Sequence, residues 1–168
     1  MENIRLAFRY SELDYVRAMR SHYATRLRLP LDVVVIVVLA SSAVYLLRSG
    51  SEMYGAIFLG TDVIFVLLLI AAFAVIPQLA FRREAKFRDE YVLDFSPQTI
   101  NFRTAHINSD LQWSMYTSAL VDKHSYILYY GSTQFTVIPK RVFQDASQRE
   151  QFEQLLTRKV LKTVDKTK

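Results

Sequence analysis

The chain predicts an α+β membrane protein: a two-helix transmembrane hairpin inserted after the first strand of a β-rich cytoplasmic domain that ends in a helix. Three observations carry this reading. Residues 31–47 and 54–81 are apolar almost throughout and are joined through the polar link RSGSE at 48–52. Residues 3–10 alternate apolar and polar side chains, and the region after residue 88 reads as short strands separated by turn residues. From residue 147 the apolar spacing becomes helical.

A hydrocarbon core about 30 Å thick takes a helix of about 20 residues at a rise of about 1.5 Å each. Residues 31–47 (LDVVVIVVLASSAVYLL) carry a single charge, Asp32, near their start, and β-branched side chains all round leave this helix no wet face. Residues 54–81 are long enough to cross with tilt. The short link, with its glycine, forces the two helices antiparallel. The alternative, a buried helix pair of a soluble protein, is set against the absence of a wet face on the first helix. A cleaved signal peptide also fits poorly, because patterned sequence fills residues 3–27 before the first apolar run.

Orientation follows from the basic residues near the span ends. Arg17, Arg20, Arg26 and Arg28 precede the first span; Arg82, Arg83, Lys86 and Arg88 follow the second; the link holds only Arg48. Both termini are therefore expected in the cytoplasm. The net charge of +5 gathers beside the membrane, where anionic headgroups contribute about 1 kcal/mol per basic residue, so no nucleic-acid partner is implied. No cysteine occurs, which excludes a disulfide framework, a thiol nucleophile and a thiolate metal site.

Three segments result: 1–30, an N-terminal strand and basic helix; 31–81, the hairpin; and 82–168, the cytoplasmic domain. In residues 3–10, Ile4, Leu6, Phe8 and Tyr10 share one face. Ser11 then opens a helix, with Asp14 standing where a capping box places Glu. Leu13, Val16, Tyr23 and Leu27 recur at helical spacing, and Pro30 marks a break before the first span. This helix either lies along the inner headgroups or packs on the cytoplasmic domain.

Strands are predicted at 91–95, 100–105, 111–113, 117–123, 126–130 and 135–138. Turns are predicted at Ser96-Pro97, Asn108-Ser109-Asp110, 123–125 and Gly131-Ser132. Ser147 and Glu150 form a capping box for a last helix with the stripe Phe152, Leu155, Leu156 and Val160, and with Arg158, Lys159 and Lys162 at its end. Six strands leave a sheet edge unpartnered, so the strand at 3–10 is expected to join them. About seven antiparallel strands with a C-terminal helix is the layout of a pleckstrin-homology-like (PH-like) barrel or sandwich.

The stretches LQWSMYTSALVDKHSYILYY, FTVIPKRVF and Glu150-Gln-Phe152-Glu-Gln-Leu155-Leu156 together resemble the YcxB-like family of small bacterial membrane proteins. The whole plan of strand, helix, two spans and β-domain is similar as well. The resemblance implies architecture and a bacterial inner-membrane location, not an activity. Met115-Tyr116, after Trp113-Ser114, departs from the more acidic turn the family pattern implies.

Candidate functional residues are few. Asp62 lies within the second apolar stretch, where an ionisable residue is a functional candidate. Counting back about 20 residues from Phe81 places it near the outer boundary. Gly60 and Thr61 beside it suit close helix packing, so solvation at the interface or helix pairing is favoured over an ion role. Asp32 stands where the helix dipole favours a carboxylate. Pro77-Gln78 is expected to bend or end the second helix. Arg82, Arg83, Lys86, Lys140 and Arg141 are the candidates for contact with headgroups or an acidic partner. The alternative for the last two is a solvated turn with Phe143 in the core. Trp113, Tyr126, Tyr129 and Tyr130 read as barrel core and strand surface.

His22, His106 and His124 are too scattered for a metal site, and no nucleophile elbow or glycine-rich phosphate loop occurs. No cofactor, metal or catalytic residue is expected. The function expected is a non-enzymatic protein whose cytoplasmic domain binds a protein partner or anionic lipid headgroups. Two other readings stand beside it. One is an immunity or regulatory protein that neutralises a membrane-acting toxin or another integral protein. The other is a small channel-like homo-oligomer, for which Asp62 is the only motive.

Overall fold

The computed structural model describes residues 3–26, 29–131 and 134–165. The chain forms two compact units, residues 19–80 and residues 1–18 with 81–168.

The first unit holds the apolar helices. α1 (Glu12–Arg26) leads through residues outside the described set to α2 (Leu29–Arg48), with Pro30 in its first turn, where the missing N–H costs nothing. α2 ends at Gly50, whose φ of 83° lets Ser51 N–H reach back to the Leu46 carbonyl at 3.0 Å. That is a Schellman-type stop, and it reverses the chain into α3 (Glu52–Ile70). The helices pack closely: a Cβ on Gly55 would lie 2.6 Å from Leu47 Cγ. Elsewhere their side chains point away from the protein, and only 6% of each apolar window is buried. A soluble core helix would be mostly buried. By length and composition both helices are able to cross a membrane.

The second helix does not stop at Pro77. It passes through a π-helical turn (Ala71–Val75) into α4 (Ile76–Arg83), a run of 32 residues in all. Pro77 has no N–H for the carbonyl one turn back, that of Phe73. The π turn absorbs the mismatch, and Arg20 Nε donates to the freed Phe73 oxygen at 3.0 Å.

Among its described residues the second unit contains eight strands, where about seven were expected. β1 (Ile4–Phe8), β2 (Tyr91–Phe95), β3 (Thr99–Arg103) and β4 (Asn108–Gln112) form one antiparallel sheet in that order. β5 (Ser118–Val121), β6 (Ser125–Tyr129), β7 (Phe135–Pro139) and β8 (Thr163–Asp165) form another, ordered β7-β6-β5-β8. β8 pairs parallel with β5, and no closed barrel forms among the described residues. β1 runs antiparallel to β2, with Leu6 opposite Leu93. Its inner residues Ile4, Leu6 and Phe8 are 1–6% exposed, each stabilising by roughly 1.5–3 kcal/mol.

Asn108-Ser109-Asp110, expected as a turn, is instead the start of β4. The reversal falls one step earlier, where Thr104 N–H donates to the Ile107 carbonyl at 2.8 Å. β6 is buried along its whole length because both of its faces are covered. Tyr126 and Leu128 face the main core with the first sheet, while Ile127 and Tyr129 meet Ala18 of α1. α5 (Ala146–Lys159) seats Phe152, Leu155 and Leu156 in the main core. Its cap is Asp145, accepting from Gln148 N–H at 2.7 Å, rather than Ser147. The cap at Ser11 forms with Asp in the Glu position: Ser11 N–H donates to Asp14 Oδ2 at 2.9 Å, and Asp14 N–H to Ser11 Oγ at 3.2 Å. Leu13, expected on the apolar stripe of α1, is 63% exposed, and Leu27 lies outside the described residues.

Candidate functional site

Two of the predicted basic residues converge on the first turn of α1. Arg82, at the end of α4, donates through Nε and Nη2 to the two carboxylate oxygens of Glu12, each at 3.2 Å. Arg141, just past β7, holds Asp14 through Nε at 3.1 Å and through Nη2, and its Nη2 also reaches the Arg9 carbonyl at 2.9 Å. Burial works to raise the Asp14 carboxyl, but hydrogen bonds from Arg141 and Ser11 outweigh it and hold the group below the ordinary carboxylate value. Both arginines therefore clamp α1 to the domain. Asp14 is legible in sequence as a cap; its partner 127 residues away is not.

The other three differ. Lys86 pairs with Glu84 at 3.3 Å and lies 5.3 Å from the centre of the Phe87 ring. Arg83 is exposed and forms no ion pair among the described residues. Lys140 stands over the Tyr126 ring at 4.9 Å, while Phe143 packs against the core as the alternative reading expected. The five cations do not form one patch.

A feature the sequence reading missed adjoins Lys86: a cavity of about 350 Å³ walled by Tyr10, Tyr15, Phe87, Tyr91 and Phe102. The rings brace one another, with Tyr10 4.8 Å from Tyr91 and Tyr15 4.5 Å from Phe87. Tyr10 OH donates to the Val137 carbonyl and Tyr91 OH to the Lys86 carbonyl, the latter at 2.9 Å. Burial pushes Tyr10 far above its ordinary value and, with Asp89 and Tyr130 adding, takes Tyr91 up to about 12. These phenols stay neutral, so the cavity offers π-faces and one ammonium at its margin. Period-2 alternation shows which aromatics turn inward, but not that Phe87 and Tyr15 close the end.

The two candidate carboxylates of the apolar helices are both incompletely paired among the described residues. Asp32 sits in the first turn of α2, and its buried Oδ2 has no hydrogen-bond partner among the described residues. Asp62 shares with Gly55 the face of α3 that meets α2. It is 8% exposed, and its Oδ1 also has no partner among the described residues. No group of three or more metal-ligating side chains occurs among the described residues.

An α+β domain carried with an apolar two-helix hairpin is the class that this geometry defines. Residues 95–156, from the end of β2 into α5, match the family model described as YcxB-like protein. No curated protein and no solved structure matches the chain.

Proposed function

We propose that this chain is a non-enzymatic bacterial inner-membrane protein. Its hairpin crosses the bilayer twice, and a PH-like domain on the cytoplasmic side binds a protein partner or anionic lipid headgroups. The observation that carries the reading is the exposure of the hairpin. Val33, Val34, Val37 and Val38 on α2, and Ile64, Leu67 and Leu68 on α3, are each more than half exposed, a surface that water disfavours and lipid does not. Arg82, Arg83, Lys86 and Arg88 at the end of the second span favour a cytoplasmic exit. Two four-stranded sheets with α5 between their ends suit a PH-like binding module, and the aromatic cavity gives it a concave surface.

The test begins with topology. The chain has no cysteine, so Ser51→Cys and Gln98→Cys each report one site. In intact cells an impermeant maleimide should label Ser51→Cys alone; labelling of Gln98→Cys would overturn the orientation. Binding is then tested by affinity purification from gently solubilised membranes with protein and lipid mass spectrometry. One protein at near-equal amount, or one enriched anionic lipid, supports the reading, and recovery of neither defeats it.

A further inference from the structure

The aromatic cavity beside Lys86 has walls whose shape and charge select a ligand. Its volume of about 350 Å³ falls within the roughly 300–1,000 Å³ of small-molecule sites. Its rings come from separate elements: Tyr10 follows β1, Tyr15 lies in the first turn of α1, Phe87 precedes β2, and Tyr91 and Phe102 stand on β2 and β3. They meet at steep angles. Tyr10 is inclined by 87° to Phe87 and by 72° to Tyr91, and Tyr91 by 70° to Phe102, with centres 4.8–5.9 Å apart. Phe81, outside the wall, stacks on Phe87 and braces it. Parallel walls form a slot for a flat ring. Walls near right angles form a box, which suits a compact, rounded group.

Charge narrows the choice further. An aromatic ring is negative over its face, so a box of rings attracts diffuse cations and disfavours anions. The charges around it are already answered: Lys86 by Glu84 at 3.3 Å, and Asp14, which bears on Tyr10, by Arg141. Asp89 bears on Tyr91 as a further negative charge. The hydroxyls of Tyr10 and Tyr91 are spent on the Val137 and Lys86 carbonyls, so these two side chains offer a guest their faces and not their protons. The Lys86 ammonium lies 5.3 Å from the centre of the Phe87 ring, yet its side chain is 61% exposed. A primary ammonium is strongly hydrated and stays at the rim. A quaternary one carries the same charge with methyl groups in place of N–H, and loses no hydrogen bonds on entering.

We propose that this cavity binds a quaternary ammonium group, its methyls packed against Tyr10, Phe87, Tyr91 and Phe102. Free choline and the headgroup of phosphatidylcholine both carry that group. The inference names a ligand for the concave surface of the binding-module reading, and rests on that reading only for the lipid source.

The test uses the full chain in a maltoside detergent, which brings no ammonium of its own, with unfolding followed through the one tryptophan, Trp113. A ligand that binds only the folded state raises the melting temperature. Choline chloride is expected to raise it saturably. Sodium chloride at the same ionic strength is not, nor is the uncharged analogue of choline in which carbon replaces nitrogen. Phe87→Leu with Phe102→Leu keeps the wall apolar but removes two π-faces, and should weaken choline binding by at least about tenfold. Lys86→Gln removes a like charge at the rim and should strengthen it by at least about threefold, whereas an anion site would respond in the opposite sense. Lys86 is exposed, so this variant carries the test by its sign even where the double variant fails to fold. In phosphatidylglycerol nanodiscs, replacing admixed phosphatidylethanolamine by phosphatidylcholine reads the lipid source. A rise in either medium that Lys86→Gln strengthens supports the site and names the source. No rise in both media, an equal rise with the uncharged analogue, a response that Lys86→Gln leaves unstrengthened, or an undiminished one in a folded double variant overturns it. The detergent arm needs no bilayer, so its failure and a failed topology test are separate results.

Discussion

Phe152→Ala is the substitution that most directly tests how the β-rich domain is held together. Phe152 is 0% exposed, and its ring lies 4.9 Å from Phe95 of β2, 5.1 Å from Tyr126 of β6 and 5.3 Å from Phe143 beyond β7. One side chain on α5 thus joins both sheets. Truncating a buried Phe costs about 3–5 kcal/mol, and three lost aromatic contacts of about 0.5–1.5 kcal/mol each push this case toward the upper end. For a domain near 100 residues, each kcal/mol moves the melting temperature by about 4–8 °C, so a drop of at least about 12 °C is expected. Trp113 fluorescence is the right observable: it reports this unit, whereas far-ultraviolet circular dichroism would be dominated by the hairpin helices. Leu161→Ala, at a residue 98% exposed, serves as the control and should not move the transition. A shift below about 4 °C for Phe152→Ala would refute the packing of α5 between the sheets.

Asp14→Ala removes a helix cap and the carboxylate that holds Arg141, and should cost about 1 kcal/mol at pH 7 in the same melt. Because the folded Asp14 carboxyl lies below its ordinary value of 3.8, its contribution is present above that value and fades as pH falls below it; the gap between wild type and variant should therefore close in acid. In the hairpin, Gly55→Val should separate α2 from α3, since a Cβ there meets Leu47, whereas Gly60→Ala should be neutral because nothing lies within 4 Å. Disulfide trapping of cysteine pairs introduced across the two helices measures this, and equal trapping in the two variants would defeat the packing argument.

Sequence and structure agree where a single physical signal dominates. Unbroken apolar runs mark the hairpin helices, and strict alternation marks β1 as a strand with one buried face. The reading failed where residue type and position conflict. Asn108-Ser109-Asp110 are turn formers, yet β4 lies at a sheet edge, where polar side chains cost little and one row of backbone groups meets water. The true turn, with Ala105 and His106 at its tip, carries no glycine or proline. Thr163-Val164-Asp165 is too short to show a period, so its parallel pairing with β5 was not legible. The candidate cations were visible by charge, but charge alone does not distinguish Arg141, tied to Asp14, from Lys140, which stands over the Tyr126 ring. That distinction depends on contacts between residues far apart in the chain.

The pairing of β1 with β2 has a consequence for the order of events during synthesis. β1 leaves the ribosome first, but its partner is made only after the whole hairpin. At roughly 5–20 residues per second, Ile4, Leu6 and Phe8 wait several seconds with nothing to bury against. In the proposed topology the two strands meet only if both crossings are completed and the chain returns to its starting side. A chain that stalls after one crossing leaves β1 and β2 in different compartments and their sheet one strand short. In that topology, closure of this sheet depends on both crossings, and a hairpin made incorrectly leaves β1 unpaired and open to proteolysis.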